Sequence, residues 1–306
     1  MYLPISKFLL VSTLALAASA WSAPQKLDAA KIEQITGMKG TYNDKENVFK
    51  VSAPRTDVPV SVDGWTLPPF MGLSPWAAFT PHHSGAMVMG DIVLFQDEVN
   101  PAMSAALDSG LAVTALHNHF FFDEPKVYFM HIEGEGAVDK LATSVKAIFD
   151  KVKEIRAGSS QPAASFTGQR IPEKSSITPK PLEDALGVKG QANNGMFKVV
   201  IGRTTKMNGT TVANEMGVNT WAAFAGSDND AVVDGDFAML ESELQTVLKS
   251  MRKAGINIVA IHHHMSGEKP RFLFLHYWGR GKAQDLARGL RTTLDAQHQA
   301  KNGKAH

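Results

Sequence analysis

The chain repeats itself at a fixed spacing of 145 residues, and each copy carries the same three histidines. Trp76-Ala77-Ala78-Phe79 returns as Trp221-Ala222-Ala223-Phe224. At that offset, without gaps, Gly90-Asp91 falls on Gly235-Asp236, Glu98 on Glu243, His117 on His262, His119 on His264, Pro125 on Pro270 and His131 on His276. From Trp76 to Gly136, 18 of 61 positions are identical to their counterparts. Gap-free self-similarity of that length marks an internal duplication. It limits the chain to folds in which one supersecondary unit is built twice and the units pack together. Positions that stayed identical share a structural or chemical constraint.

The pattern within each copy reads as α+β. A short helix ends at Gly37 or Gly187, suited to a left-handed C-cap. A strand follows, at Val48–Val51 or Phe197–Ile201. Trp76–Thr80 and Ala86–Phe95 read as strands, and a helix capped by Asp97 or Ser242 runs to Ser109 or Ala254, stopped by Gly110 or Gly255. A strand over Ala112–His119 or Asn257–His264 leads through a proline loop to a strand over Lys126–Glu133 or Arg271–Trp278. A Gly-x-Gly turn then opens a closing helix. The expectation is two tandem repeats, each a mixed or antiparallel sheet with helices in the order strand, strand, helix, strand, strand, helix, packed as a pseudo-two-fold pair. Strands apolar on both sides, such as Ile258-Val259-Ala260-Ile261, predict a sheet covered by helices on one face and by the other copy on the second. Repeat one is expected over residues 31–155, a Gly/Ser/Pro-rich linker over 156–180 and repeat two over 181–299.

Residues 1–20 read as a secretory signal, with Lys7, a short apolar run and the small-residue site Ala18-Ser19-Ala20. The run is too short for a good spanning helix, so no membrane span is expected after cleavage. Loss of Lys7 balances the charge, from 31 basic and 30 acidic side chains to 30 of each. That balance argues against nonspecific nucleic-acid binding. The chain has no cysteine, which excludes disulfides, thiolate ligands and a cysteine nucleophile. The expected setting is periplasmic or secreted, as monomer or homodimer, with a small molecule or envelope component as partner.

His117 and His119 alternate along a strand, so their imidazoles share a face. If the next strand returns antiparallel, His131 joins them, and His262, His264 and His276 repeat the set. Two histidines from one strand and one from its neighbour offer three nitrogens to Zn, Cu, Ni or Fe. Glu98 and Asp123, aligned with Glu243 and Glu268, are the candidate acids or bases for a bound water, which would make the site hydrolytic. The opposing reading is a non-catalytic envelope ligand- or protein-binding module whose histidines are structural and whose ligand lies between the copies. Histidines beside Val113, Ala115 and Phe129 are compatible with a core. His82 and His83 read as solvated turn residues, and Gly90-Asp91 as a bend or bulge with the aspartate bonded to backbone.

The block Met87-Val88-Met89-Gly90-Asp91-Ile92-Val93-Leu94, with Thr114-Ala115-Leu116-His117-Asn118-His119 and Phe129-Met130-His131-Ile132, resembles the LppY/LpqO family. These are exported bacterial proteins named after mycobacterial lipoproteins and grouped as a domain of unknown function. The resemblance covers nearly the whole mature chain and implies an exported setting but no activity. The lipidation cysteine is absent here, so the resemblance is to a soluble exported member.

Overall fold

The computed structural model describes residues 26–83, 85–166 and 170–302, so the signal reading lies outside the described residues. Twelve strands form one antiparallel sheet. In order across it they are Gly40–Asn43, Val48–Ser52, Trp76–His82, Gly85–Phe95, Val127–Gly136 and Ala112–His117. The second half mirrors this order: Asn257–His262, Phe272–Gly281, Ala231–Leu240, Asn219–Gly226, Met196–Gly202 and Gln191–Asn193. Each repeat contributes half, and the halves meet edge to edge at Ala112–His117 and Asn257–His262.

Helices cover one face. In repeat one they span Ala29–Thr36, Gln96–Asp108 and Val138–Gly158. In repeat two they span Pro179–Leu186, Leu244–Lys253 and Ala283–Asn302. Alternate strand residues, including Val88, Ile92, Leu94, Met130 and Ile132, bury into one apolar core with helix residues such as Met103, Val145 and Leu248. Gly37 and Gly187 end their helices with a φ of 70° in each case, as the sequence predicts. Among the described residues, no helix is long and apolar enough to cross a membrane.

The other face is covered differently from the expectation. The second copy does not lie on it. In repeat one, Val58, Val60, Leu67 and Leu73, from the excursion between the second and third strands, pack on Val93, Phe95, Val127 and Phe129. In repeat two, Val212 and Val218 pack on Ala238, Phe272 and Phe274. Local chain therefore covers parts of the second face, and the edges are left to join the repeats.

The join holds few ladder bonds. Leu116 and Ile261 are the only directly paired residues between the two central strands. Two helix amides take up the neighbouring backbone groups. The Ile258 N–H donates to Asn100 Oδ1 at 2.7 Å and Asn100 Nδ2 donates to the Ile258 carbonyl at 3.0 Å. Reciprocally, the Val113 N–H donates to Gln245 Oε1 at 3.0 Å and Gln245 Nε2 donates to the Val113 carbonyl at 2.8 Å. Asn100 and Gln245 are 145 residues apart, as are Val113 and Ile258. Each repeat thus uses one amide to finish the other's open strand edge, which would otherwise bury unpaired backbone groups.

Several expected boundaries change. The strands expected to reach His119 and His264 end at His117 and His262, which leaves the third histidine of each set in the bend that follows. Asp97 and Ser242 are not the caps of the helices they begin. The carboxylates of Glu98 and Glu243 reach back instead, each accepting from a backbone N–H (Phe95 and Leu240) at 2.9 Å. Gly134 and Gly136 lie within the Val127–Gly136 strand and do not form the expected turn.

Replacing Asn100 or Gln245 by Ala leaves a buried N–H and C=O without partners. Each change should cost about 1–3 kcal/mol, read by urea unfolding, with strand content unaltered.

Candidate metal centre

The histidines reach a common place because of strand register. Asp91 pairs with His131, His131 with Ala115, and His117 with Phe129. Repeat two matches row for row: Asp236 with His276, His276 with Ala260, and His262 with Phe274. These side chains lie on the face opposite the helices. A β-bulge puts them there. One extra residue sits between Val113 and Ala115, and again between Ile258 and Ala260. Val113 and Leu116 both enter the helix-side core although an uninterrupted strand would separate them. Strict alternation from Val113 would carry His117 into that core, whereas the bulge turns it outward.

In repeat two the groups converge closely. Ligand atoms of Asp236, His262 and His264 lie within 4.8 Å of one another. His264 Nε2 is 3.1 Å from His262 Nε2 and 3.1 Å from Asp236 Oδ2. The Nδ1–H of His264 can donate to the Gly217 carbonyl at 3.1 Å, which turns the Nε2 lone pair into the cluster. The His276 ring stacks 4.6 Å from that of His262. In repeat one, His131 Nε2 lies 3.1 Å from His117 Nε2, and the His117 and His119 rings stack at 5.1 Å. All six predicted histidines are therefore gathered into two clusters of three. His263 points away, with Nδ1 3.2 Å from the Phe272 carbonyl. His82 and His83 lie at the distant end of their strand, near Asp139 and Lys31. The row of His82 and Gly85 is six residues along the strand from Asp91, about 20 Å away.

Two components escaped the sequence reading. Asp91 and Asp236 sit in mid-strand, not in a bend, and face the histidines. Their neighbours Gly90 and Gly235 are required by close packing. A Cβ on Gly235 would stand 2.2 Å from the Tyr277 ring, and one on Gly90 would stand 2.9 Å from Ile132 Cγ1. The second component is the floor of each cluster. His119 stacks on Phe129 at 3.4 Å and His264 on Phe274 at 3.6 Å, both nearly parallel. Phe129 and Phe274 are identical at the 145-residue offset, the signal in the sequence that marks them.

The electrostatics of the cluster suit a cation ligand set. Asp236 is 3% exposed, and its Oδ1 and the Nδ1 of His262 are buried without a hydrogen-bond partner among the described residues. Burial raises the Asp236 carboxyl above its ordinary value, against the pull of His264 and His276. Burial, helped by His276 and His264, pushes His262 down to about 4. His119 is lowered chiefly by burial and next by His117, with Asp91 opposing. Neutral imidazoles beside a carboxylate short of countercharge are what a divalent cation needs from a protein.

Glu98 and Asp123 are occupied elsewhere. Glu98 is fully buried and accepts from Arg55 Nη1 at 2.7 Å and Nη2 at 2.9 Å, with Arg156 Nε 2.9 Å away. Glu243 is held likewise by Arg203 and Gln297. Asp123 accepts from the Val127 N–H at 2.7 Å and from Lys126, and Glu268 from the Phe272 N–H at 3.0 Å. These carboxylates cap backbone and neutralise buried arginine, so the acid–base role considered from the sequence finds no support in their geometry.

A family model described as "Domain of Unknown Function (DUF1259)" matches residues 30–151 and again 180–296. No curated protein matches the chain. Among solved structures, a trimeric bacterial microcompartment shell protein, PduB, aligns at 8% identity over 87% of this chain and 93% of its own, with a TM-score of 0.20. The double-ringed trimeric shell protein MSM0271 aligns at 12% identity over 76% of this chain and 85% of its own, with a TM-score of 0.19. At those scores neither carries an argument about fold or function.

Glu98→Gln should destabilise the protein by about 3–5 kcal/mol in urea, since it strands buried arginine charge, while leaving metal uptake unchanged. The pH dependence of the metal-free protein should show His262. Its unfolded value is about 6.5 and its folded value about 4, so the unfolded chain binds more protons between them. The histidine's contribution is intact above the upper value and is lost as pH falls through the window. Asp236, raised in the fold, has the opposite sign at its own titration. His262→Gln should flatten the acid side of the stability profile, measured by thermal melting from pH 7 to pH 4.

Proposed function

We propose that this chain, which belongs to the family described as Domain of Unknown Function (DUF1259), is an exported protein that binds a transition metal, zinc foremost, in each repeat. The ligands in repeat two are His262, His264 and His276 with Asp236. Those in repeat one are His117, His119 and His131 with Asp91. The carrying observation is the convergence of Asp236, His262 and His264 on one point, with Asp236 Oδ1 and His262 Nδ1 buried and, among the described residues, unpartnered. Imidazole and carboxylate donors suit zinc, and copper, nickel or iron are the competing ions.

Asp236 lies at the buried side of its cluster and His264 at the open side, so the pair leaves an approach from solvent. A metal held there would lower the pKa of a bound water, the basis for a hydrolytic activity. The chain's own contribution is to orient His264 through Gly217 and Phe274 and to keep His262 neutral. The LppY/LpqO resemblance and the signal-like first 20 residues support export to the periplasm or beyond. The reciprocal bonds of Asn100 and Gln245 support a pseudo-two-fold arrangement of the repeats.

The competing reading, structural histidines in an envelope binding module, draws on the parallel stacking of His119 and His264 on phenylalanine. Elemental analysis of the purified mature protein separates the two. The expected result is one or two equivalents of zinc per chain, removed by chelator. Replacing His262 and His264 by Ala should abolish the repeat-two share, and replacing His117 and His119 the repeat-one share, with the melting profile otherwise retained. Absence of any metal as purified, together with no thermal shift on adding zinc, copper, nickel or iron, would overturn the proposal.

A further inference from the structure

A cavity of about 380 Å³ opens at the junction of the repeats and touches only one of the two histidine clusters. Its size falls at the lower end of small-molecule sites, roughly 300–1,000 Å³. Tyr128 of repeat one, Phe166 of the connecting segment and Trp278 of repeat two wall it, with Val259 beside them. His276 also lines it. Register explains the position. Trp278 pairs with Asp234, and two residues along the same strand His276 pairs with Asp236. His276 therefore stands between the cavity and the His262–Asp236 cluster, its ring 4.6 Å from that of His262.

The duplication did not copy this cavity. At the 145-residue offset, Trp278 corresponds to Glu133, Tyr128 to Leu273, Asp234 to Met89 and Val259 to Thr114. Phe166 lies between the repeats and has no counterpart. The six histidines are preserved while the aromatic wall is built once, so the wall is not a requirement of the shared fold. Phe166 and Val259 are exposed at 59% and 43%, apolar groups that serve no core.

We propose that the cavity binds a phenolic aromatic compound, its ring among Tyr128, Phe166 and Trp278 and its hydroxyl at the His276 end. Three aromatic walls favour a flat apolar body, held by offset or edge contacts. The exposed Asp234 carboxylate disfavours an anionic ligand. A phenol is neutral at neutral pH, with a pKa of about 10, donates a hydrogen bond, and offers an oxygen to a metal once deprotonated. The placement of the hydroxyl rests on the metal reading above, whereas occupation of the cavity does not.

The test titrates 2-naphthol, followed by its own fluorescence, into metal-free and zinc-loaded full-length mature protein, with naphthalene and 2-naphthoate as controls. The expected result is saturable binding of one 2-naphthol per chain, weaker binding of both controls, and tighter 2-naphthol binding after zinc loading. Phe166→Ala should weaken binding roughly fivefold through loss of one ring contact. Val259→Trp should abolish it by filling the cavity, and since both positions are exposed the fold should survive, as thermal melting will show. His117→Ala with His119→Ala should leave binding as it was. No saturable binding to either form, equal binding of naphthalene, or full binding to Val259→Trp would overturn the proposal. Zinc uptake without 2-naphthol binding sinks the cavity alone. Binding sensitive to Val259→Trp in a protein that takes up no metal sinks the metal reading and supports the cavity.

Discussion

Between Val113 and Ala115, and again between Ile258 and Ala260, each central strand carries one residue more than its partner, and both the site and the join of the repeats follow from that insertion. Before the bulge, Val113 and Ile258 face the helix-side core. After it, Ala115 and His117, or Ala260 and His262, face the opposite side in register with His131 or His276. The bulge also accompanies a central pairing reduced to Leu116 and Ile261. Asn100 and Gln245 then supply hydrogen bonds that a longer ladder would have made. Bulges next to functional sites commonly re-aim side chains in this way.

Around the clusters the two faces of the sheet do different work. The helix face holds one continuous apolar core that runs through both repeats. The other face is covered in patches by local excursions, leaving the histidines at the margin of packed phenylalanine and partly open to water. Phe129 and Phe274 belong to those patches and also carry the rings of His119 and His264. Packing and ligand orientation thus share the same side chains. The buried Glu98 and Glu243 ion pairs stand apart from this chemistry and fix helix starts against the excursions.

Much of this was legible in the sequence. The duplication, the alternation of strands and helices and the glycine caps are local or periodic signals, and they survived folding. The approach of His131 followed from an antiparallel return, whereas His119 joins His117 from the bend beyond the strand's end, laid against Phe129, and not by period-two geometry. The role of Asp91 and Asp236 is not legible in the sequence because Gly-Asp is a common turn pair, and only the neighbouring strand shows why glycine is needed there. The sequence does not distinguish the structural role of Glu98 and Glu243, because identity between copies does not separate a buried ion pair from a reacting group. The arginines that donate to them, Arg55 and Arg203, lie 43 and 40 residues away, in segments of unequal length that a gap-free comparison misses.

The sequence by itself determined that one unit is built twice, that it is α+β, and that each copy brings three histidines toward one another, because repetition and alternation are properties of the chain. Tertiary structure decided that the repeats join edge to edge, that the histidines face away from the helices, and that a carboxylate stands among them. Those outcomes depend on register between strands far apart in the chain. A one-residue shift there exchanges core for surface, and no local pattern in Ala112–His117 records on which side of the bulge a histidine will fall.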